Sequence, residues 1–279
     1  LPARARPFLE RLGIAAVPFL LWAAYTLVFV GHVAFRAVGD ELFTWRSLAA
    51  TESAILGMSA SGWLQTRGPE SYVLDRLATG LHLAWFAFPI VVGVALTVWQ
   101  RARLFEYFGW LTVCWYLADF GFLALPVIPP WMDDAGLRRV LLDRGWIEYA
   151  ALDSNPVAAF PSLHACIPLA VGLFLWFRVP GARWAAMASG VIAFLTGAAV
   201  IYLGEHWVLD VVAGWALAGL VAWLFVSARV RAALHRIPGD PLSLVHRLDA
   251  KIANLGRLTV PSVSEAGSGA DVRPERRAA

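Results

Sequence analysis

The sequence predicts an all-α, polytopic membrane protein of about six transmembrane helices, with a surface helix between the third and the fourth. Three observations carry that class. Hydrophobic residues make up 59% of the 279 residues and charged residues 15%, and the mean hydropathy is +0.63, outside the range of soluble domains. Several apolar runs approach or exceed the ~20 residues that cross a bilayer. The basic charge is almost all arginine, Lys251 being the only lysine, and the arginines cluster at the ends of those runs. That pattern orients a protein in the lipid bilayer, whereas a nucleic-acid partner would call for a basic stripe on a solvated domain. Cys114 and Cys166 each lie inside an apolar run and read as structural residues, neither a disulfide framework nor a metal site.

In chain order, residues 1–11 form an arginine-bearing lead-in, residues 12–230 a membrane domain, and residues 231–279 a basic tail expected to be disordered, most clearly from Pro261 on. Leu12–Phe35 is the expected first span, too long for a cleavable leader and not followed by a small-residue cleavage pattern. Ser47–Gln65 is too rich in Ser, Thr and Gly for a span, and reads as an interfacial or re-entrant helix. Leu77–Trp99 is the second span and Phe105–Val127 the third, stopped by Pro126, Pro129 and Pro130. Between Met132 and Ala159, Asp133 and Asp134 are placed to cap a surface helix with Leu137, Val140, Leu141 and Ile147 on one face and Arg138, Arg139 and Arg144 elsewhere. Pro161–Phe177, Trp184–Leu203 and His206–Val226 complete the set.

The arginines near span ends sort the loops. Arg4, Arg6, Arg11, Arg101, Arg103, Arg178, Arg183, Arg229, Arg231 and Arg236 fall on one side with few acids among them. The positive-inside tendency makes that side, with both termini, cytoplasmic. The Pro129-Pro130-Trp131 turn and the starts of the fourth and sixth spans then share the extracytoplasmic face, at what is expected to be the plasma membrane.

Two of those features carry chemistry. Pro161 suits the first turn of a helix whose leading N–H groups lack intrahelical partners, so the backbone at Leu163 and the Ser162 hydroxyl can bind an anion, a phosphate above all. His164 lies in the same turn, placed to protonate a leaving oxygen. His206 and Asp210 are four apart on one helix and share a face, an arrangement in which a carboxylate fixes the imidazole tautomer and leaves the other nitrogen free to attack phosphorus. A lone histidine at an apolar run is more often a packed, hydrogen-bonded residue; two of them beside an anion-binding turn favour catalysis.

The stretches Ala159-Phe160-Pro161-Ser162-Leu163-His164 and Tyr202-Leu203-Gly204-Glu205-His206-Trp207-Val208-Leu209-Asp210-Val211-Val212-Ala213-Gly214 resemble the second and third motifs of the type 2 phosphatidic acid phosphatase superfamily. The match is closest to its inositol phosphorylceramide synthase-like branch, which has Ser-Leu-His where the phosphatases have Ser-Gly-His, and Pro129-Pro130-Trp131 resembles that branch's upstream signature. The resemblance covers roughly residues 104–219, the expected catalytic core. It implies a six-span helical core with His206 as the nucleophile that becomes a phosphohistidine, Asp210 as its orienting partner and His164 as acid and then base, with no metal or cofactor.

The sequence departs from the phosphatase pattern where that pattern holds cations. Val200 stands six residues before His206 in place of an arginine, and no lysine precedes Pro129-Pro130. A terminal phosphate is close to dianionic at neutral pH, so absent cations lean toward a singly charged phosphodiester. Arg138 and Arg139, with Arg144 behind them, are the candidates to supply charge, although solvated residues of a surface helix read as well. Asp119 in the third span reads equally as a cavity residue or a structural partner. His82 reads as a hydrogen-bonded packing residue, Asp153 and Asn155 as turn formers before Pro156, and Trp99, Trp110, Trp131, Trp184 and Trp207 as interfacial anchors. The expected activity is transfer of a phospho-headgroup, of the phosphoinositol type, from one membrane lipid to a lipid alcohol. The alternatives are hydrolysis of a lipid phosphate or polyprenyl diphosphate, and a transporter or scaffold without the chemistry.

Overall fold

The computed structural model describes residues 27, 46–68, 70–140, 158–234, 243, 246–251 and 254. The expected first span Leu12–Phe35 apart from residue 27, the surface segment beyond residue 140 with Arg144, Asp153 and Asn155, and the tail from Pro261 lie outside the described residues. Those described form an all-α protein: α1 (Ala49–Leu56), α2 (Ala60–Arg67), α3 (Tyr72–Trp99), α4 (Leu104–Ala124), α5 (Pro130–Asp133), α6 (Leu163–Arg178), α7 (Arg183–Tyr202), α8 (Val208–Val226) and α9 (Ala228–Leu234). Among them no strand forms; two isolated bridges, Arg46 to Val127 and Val127 to Ala158, align three loops side by side.

By length and apolar composition α3, α7 and α8 can each cross a membrane, and the protein is a membrane protein. The expected second to sixth spans match α3, α4, α6, α7 and α8 to within a few residues. The other two, α4 and α6, are less apolar or shorter for identifiable reasons. Helix α4 has 21 residues but carries Glu106 and Asp119, both buried. Helix α6 has only 16, because Ser162 caps its start and Pro180 forces the preceding Val179 (φ −117, ψ 99) out of the helical region. A length of ~20 residues is required of a helix that faces lipid. Helix α6 instead packs against α3, α4, α7 and α8, and its side chains from Ala165 to Pro168 and from Ala170 to Gly172 are buried.

Around α6 the core is aromatic: Tyr107, Trp110, Trp115 and Phe174 are among its fully buried side chains, and Phe174 meets both Tyr107 and Trp110 edge-on, the favoured arrangement of aromatic rings. The expectation that the tryptophans are interfacial anchors therefore divides. Trp99 and Trp184 are 77% and 81% exposed at helix ends and keep it. Trp110 and Trp207 are buried at 0% and 1%, the first in the core and the second tied by its indole N–H to the Ile128 carbonyl at 2.7 Å.

Two glycines let the backbone of the Pro161 turn sit against its neighbours. A Cβ on Gly214 of α8 would lie 2.2 Å from the Ser162 carbonyl oxygen, and one on Gly121 of α4 would lie 2.4 Å from Pro161 Cδ. No other residue type permits these approaches without movement, so α4 and α8 both close on the turn that starts α6. The start of α3 joins the same end, where the Tyr202 hydroxyl donates to Asp75.

The loops at this end differ from expectation in two places. Ser47–Gln65 is not one helix but two, broken at Gly57, whose positive φ of 81 ends α1, while the Ser59 hydroxyl accepts the Gly62 N–H at 3.0 Å to start α2. Asp133 and Asp134 do not cap a surface helix. Asp133 ends the single turn of α5, and Asp134 accepts the Gly136 N–H at 2.8 Å in a tight turn, an Asx-type bond that competes with helix. Helix resumes only at residue 140, so Arg138 and Arg139 sit on an irregular link and not on a helix face.

The opposite end collects Arg101, Arg103, Arg178 and Arg183 at the termini of α3, α4, α6 and α7. Glu106 pairs there with Arg103 at 3.0 Å and with Arg178. The chain after residue 230 was expected to be featureless, yet residues 246–251 are helical. Asp249 is buried there, accepting the Phe105 N–H at 2.8 Å and the Glu106 N–H at 3.4 Å at the start of α4.

Candidate active site

His206 owes its position to the way α7 ends. Gly204 takes a φ of 78, its N–H donates to the Ile201 carbonyl at 3.0 Å, and the Glu205 N–H reaches back to the Val200 carbonyl at 3.0 Å. This is the bond pair of a Schellman turn, which only glycine enters cheaply. The His206 N–H shares the Val200 carbonyl at 3.2 Å, so the residue leaves the turn with its backbone fixed. Helix α8 then begins at Val208, with Asp210 in its first turn accepting the Trp207 N–H at 2.8 Å.

The expected catalytic residues meet. His206 Nδ1 lies 3.3 Å from Asp210 Oδ2, and His206 Nε2 lies 3.1 Å from His164 Nδ1. With Nδ1–H of His206 donating to the carboxylate, Nε2 carries the lone pair, and His164 Nδ1–H donates to it; that tautomer assignment satisfies both contacts. His206 is 5% exposed and Asp210 0%. His164 Nε2 and Asp210 Oδ1 have no hydrogen-bond partner among the described residues. The backbone locks the two stretches together: the Ser162 N–H donates to the Asp210 carbonyl at 2.9 Å.

Ser162 also has a task in the fold itself. Pro161 lies before the helix and not in its first turn, Ser162 is the N-cap, its hydroxyl oxygen accepts the Ala165 N–H at 3.4 Å, and its side chain is fully buried. The hydroxyl thus satisfies its own helix start, one of the orphan donors at that terminus. Leu163, next in the turn, is 6% exposed, and its carbonyl accepts the Trp85 indole N–H at 2.8 Å.

Arg139 reaches the site and Arg138 serves to hold it. The Arg139 guanidinium pairs with Glu205, Nε to Oε1 at 3.0 Å and the terminal nitrogen to Oε2 at 3.4 Å. It also lies 3.9 Å from the centroid of the Trp131 ring, whose indole N–H donates to Glu205 at 3.2 Å. Trp131, partly buried, is thus tied to both Glu205 and Arg139. Arg138 is gripped by its backbone: Gln65 accepts the Arg138 N–H at 3.0 Å and donates to its carbonyl at 3.1 Å and to that of Tyr202 at 2.9 Å. Val200 is completely buried against Ala165 and Val211, an apolar setting with no place for a guanidinium.

Glu52, Gln65, Glu205 and Trp85 escaped the sequence reading. Glu52, 1% exposed, accepts the Val208 N–H at 2.7 Å and the Ala60 N–H at 2.9 Å, capping α8 and α2 at once and joining the α1–α2 pair to the helix that carries Asp210. Its one sequence signal is an acid within a Ser- and Ala-rich stretch; for Glu205 it is the acid immediately before His206. His82, expected only to pack, stacks on the His164 ring with centroids 4.3 Å apart. Asp119 is buried at 4% and engaged. A cleft of about 550 Å³ beside Trp207 is lined by Ser53, Ser59, Thr66, Asp133 and Asp134 among others.

Comparison with known proteins gives two matches. Residues 46–224 match the family described as the PAP2 superfamily. Over 107 residues the chain is 34% identical to phosphatidylglycerophosphatase B of Bacillus subtilis (strain 168), a stretch that is 34% of this chain and 51% of the relative. The chain thus spans about half the length of that curated relative. No solved structure matches it.

Proposed function

The chain belongs to the PAP2 superfamily, and on that premise we propose that it cleaves a lipid phosphoester at His206 through a phosphohistidine. The observation that carries the reading is the continuous contact from Asp210 through His206 to His164. Phosphorus displaces His164 from the His206 Nε2 lone pair. The Nε2–P bond forms, the P–O bond to the leaving group breaks with its electron pair going to oxygen, and His164, entering as the imidazolium, gives that oxygen a proton and is left neutral. Asp210 stabilises the charge left on the His206 ring. An alcohol or water then gives its proton to His164, its oxygen attacks phosphorus, and the N–P pair returns to Nε2. Arg139 is the cation that faces the phosphoryl oxygens, with Arg138 holding the backbone beside it.

The preferred reaction transfers a phosphoinositol-type headgroup to a lipid alcohol, as in the inositol phosphorylceramide synthase-like branch. Two features support a singly charged diester. Glu205 already offsets the charge of Arg139, and the position that holds an arginine in the phosphatase pattern is Val200, buried among apolar side chains. A second reading, hydrolysis of a lipid phosphate or polyprenyl diphosphate, is favoured by the Bacillus relative, which bears the name of a phosphatidylglycerophosphatase. In either case the reacting end is extracytoplasmic at the plasma membrane and both termini are cytoplasmic. The arginines at the termini of α3, α4, α6 and α7 lie at the other end, the positive-inside arrangement.

The deciding experiment is mass spectrometry of products from purified protein in liposomes. The liposomes hold phosphatidylinositol with ceramide or diacylglycerol, and separately phosphatidic acid or a polyprenyl diphosphate, with His206→Ala as the blank. A new headgroup-bearing lipid that depends on His206 establishes the transferase; inorganic phosphate release establishes the hydrolase. Turnover undiminished in His206→Ala would overturn both.

A further inference from the structure

The His164 ring is contacted by two aromatic side chains of a helix that no part of the reaction described above uses. His82 stacks on it with centroids 4.3 Å apart and planes 23° from parallel, and Trp85 approaches it at 4.7 Å and 40°. His82 and Trp85 are three residues apart in α3, hence on one face. Both are buried, His82 at 0% and Trp85 at 6%. Trp85 is itself anchored twice, by its indole N–H to the Leu163 carbonyl at 2.8 Å and by the Trp115 ring at 5.5 Å.

An imidazole on an unsupported side chain has two rotatable bonds, and general acid–base catalysis needs its proton within hydrogen-bond reach of the reacting oxygen. A buried ring contact on a rigid helix removes that freedom. We propose that His82, braced by Trp85, is a positioning residue for His164: the stack fixes the imidazole plane so that Nδ1 faces His206 Nε2 and Nε2 stays open. A histidine suits this place better than an aliphatic residue because its flat face stays in contact with the His164 ring in both protonation states, and the π-face is attractive to an imidazolium. The groups within electrostatic reach of this pair are His206, from the loop before α8, and Arg139, from the link before residue 140; Asp210 sits behind His206. The proposal rests on His164 acting as the proton donor of the proposed function.

The test uses leaving groups. A poor leaving group such as an alkoxide needs the proton of His164, whereas p-nitrophenolate leaves without one, so damage confined to the acid disappears with the activated substrate. Purified protein is assayed with phosphatidic acid against p-nitrophenyl phosphate, and with phosphatidylinositol against bis(p-nitrophenyl) phosphate. His82→Ala is expected to lower kcat/KM, which ends at leaving-group departure and leaves out the later attack of water or alcohol on the phosphohistidine, by about 10- to 100-fold on the lipid and by less than about threefold on the nitrophenyl partner. His82→Phe, which restores a ring face, is expected to recover most of the lost kcat/KM on the lipid. In His164→Ala the further change His82→Ala is expected to cost nothing, because the ring it positions is gone. Equal losses on both leaving groups, losses additive with His164→Ala, or no loss at all would each make His82 a packing residue only. A wild type that turns over none of the four would instead overturn the proposed function itself.

Discussion

The two ends of the helix bundle hold their buried carboxylates in different ways. At the end that carries His206, Glu52 is held by the neutral N–H groups of Val208 and Ala60, and Asp210 by the N–H of Trp207 together with the His206 ring. At the other end Glu106 lies between Arg103 and Arg178. A carboxylate fixed by neutral dipoles keeps its charge for a neighbour that acquires a proton. One fixed by guanidinium groups is already neutralised and holds the fold. The difference sets Glu52 and Asp210 apart from Glu106, while Glu205, paired with Arg139, and Asp249, held by two backbone N–H groups, each depart from the pattern of their own end.

The largest effect follows from exchanging a carboxylate at each end for its amide. Asp210→Asn keeps the shape but favours the wrong His206 tautomer, and kcat is expected to fall by about 10³- to 10⁴-fold with the thermal midpoint little changed. Glu106→Gln leaves the largely covered Arg178 and the more exposed Arg103 without their charge partner. It is expected to cost about 2–3 kcal/mol of stability, less than for a fully buried pair because solvent screens Arg103, read as a lowered thermal midpoint in detergent, while kcat of the folded fraction stays within about threefold. The comparison breaks if Glu106→Gln abolishes turnover in protein that is still folded, or if Asp210→Asn acts through stability alone.

Next in size is close approach. Gly214→Ala places a Cβ 2.2 Å from the Ser162 carbonyl, backbone that cannot rotate away, and is expected to destabilise by about 1–3 kcal/mol and to pull the Asp210 helix away from the His164 turn. Gly109→Ala, with nothing within 4 Å of the new Cβ, is expected to be neutral or to stabilise by up to about 1 kcal/mol, as for glycine in any helix interior. Thermal unfolding and kcat of the two variants side by side test both statements.

The helices were legible in the sequence because apolar runs, arginine ends and the prolines at 126, 129, 130 and 161 are local signals. The candidate catalytic residues were legible because His164 and the His206–Asp210 pair stand out against an apolar background. What was not legible depends on contacts between residues far apart in the chain. Gln65 grips Arg138 across 73 positions and Glu52 caps α8 across 156, and no periodicity encodes either. His82 reads as packing on its own helix, and its stack on His164 arises only once α3 meets α6. The expected caps at Asp133 and Asp134 failed for the opposite reason. The Asp134 side chain found a closer N–H, that of Gly136, and formed a turn before any helix could start.

Glu205 sharpens the comparison, because it is a carboxylate at the end carrying His206 that does hold a guanidinium. Glu205→Gln removes that offset and releases the charge of Arg139 toward the phosphoryl group. Selectivity, as the ratio of kcat/KM for a dianionic monoester to that for a singly charged diester, is expected to rise by about 10-fold, or about 1.4 kcal/mol. Arg139→Gln is expected to lower activity on both classes. An unchanged ratio in Glu205→Gln would mean that Arg139 does not face the substrate.

The smallest effect is expected at the far end, in the pH dependence of the contact made by Asp249. Burial pushes its carboxyl up from 3.8 to about 6, against the two backbone N–H groups and Arg103, which favour the charged form. Between those values the docked state binds a proton that the undocked chain does not. The stabilisation is therefore fully present below about pH 3.8 and is lost as pH rises through about 6. Above that pH the carboxylate is charged, and the cost of burying it works against the two N–H hydrogen bonds it accepts. Asp249→Asn imitates the neutral carboxyl and should remove the dependence. In hydrogen exchange of the Phe105 and Glu106 amides, variant and wild type are expected to be protected alike below about pH 3.8, with the variant protected more at pH 7, by about 1 kcal/mol once solvent screening is allowed for. Lower protection of the variant at pH 7 would reverse the sign. Attraction between the charged carboxylate and the N-terminus of α4 would then outweigh its burial, and the far end, like the reacting end, would use a helix start to keep a buried carboxylate ionised.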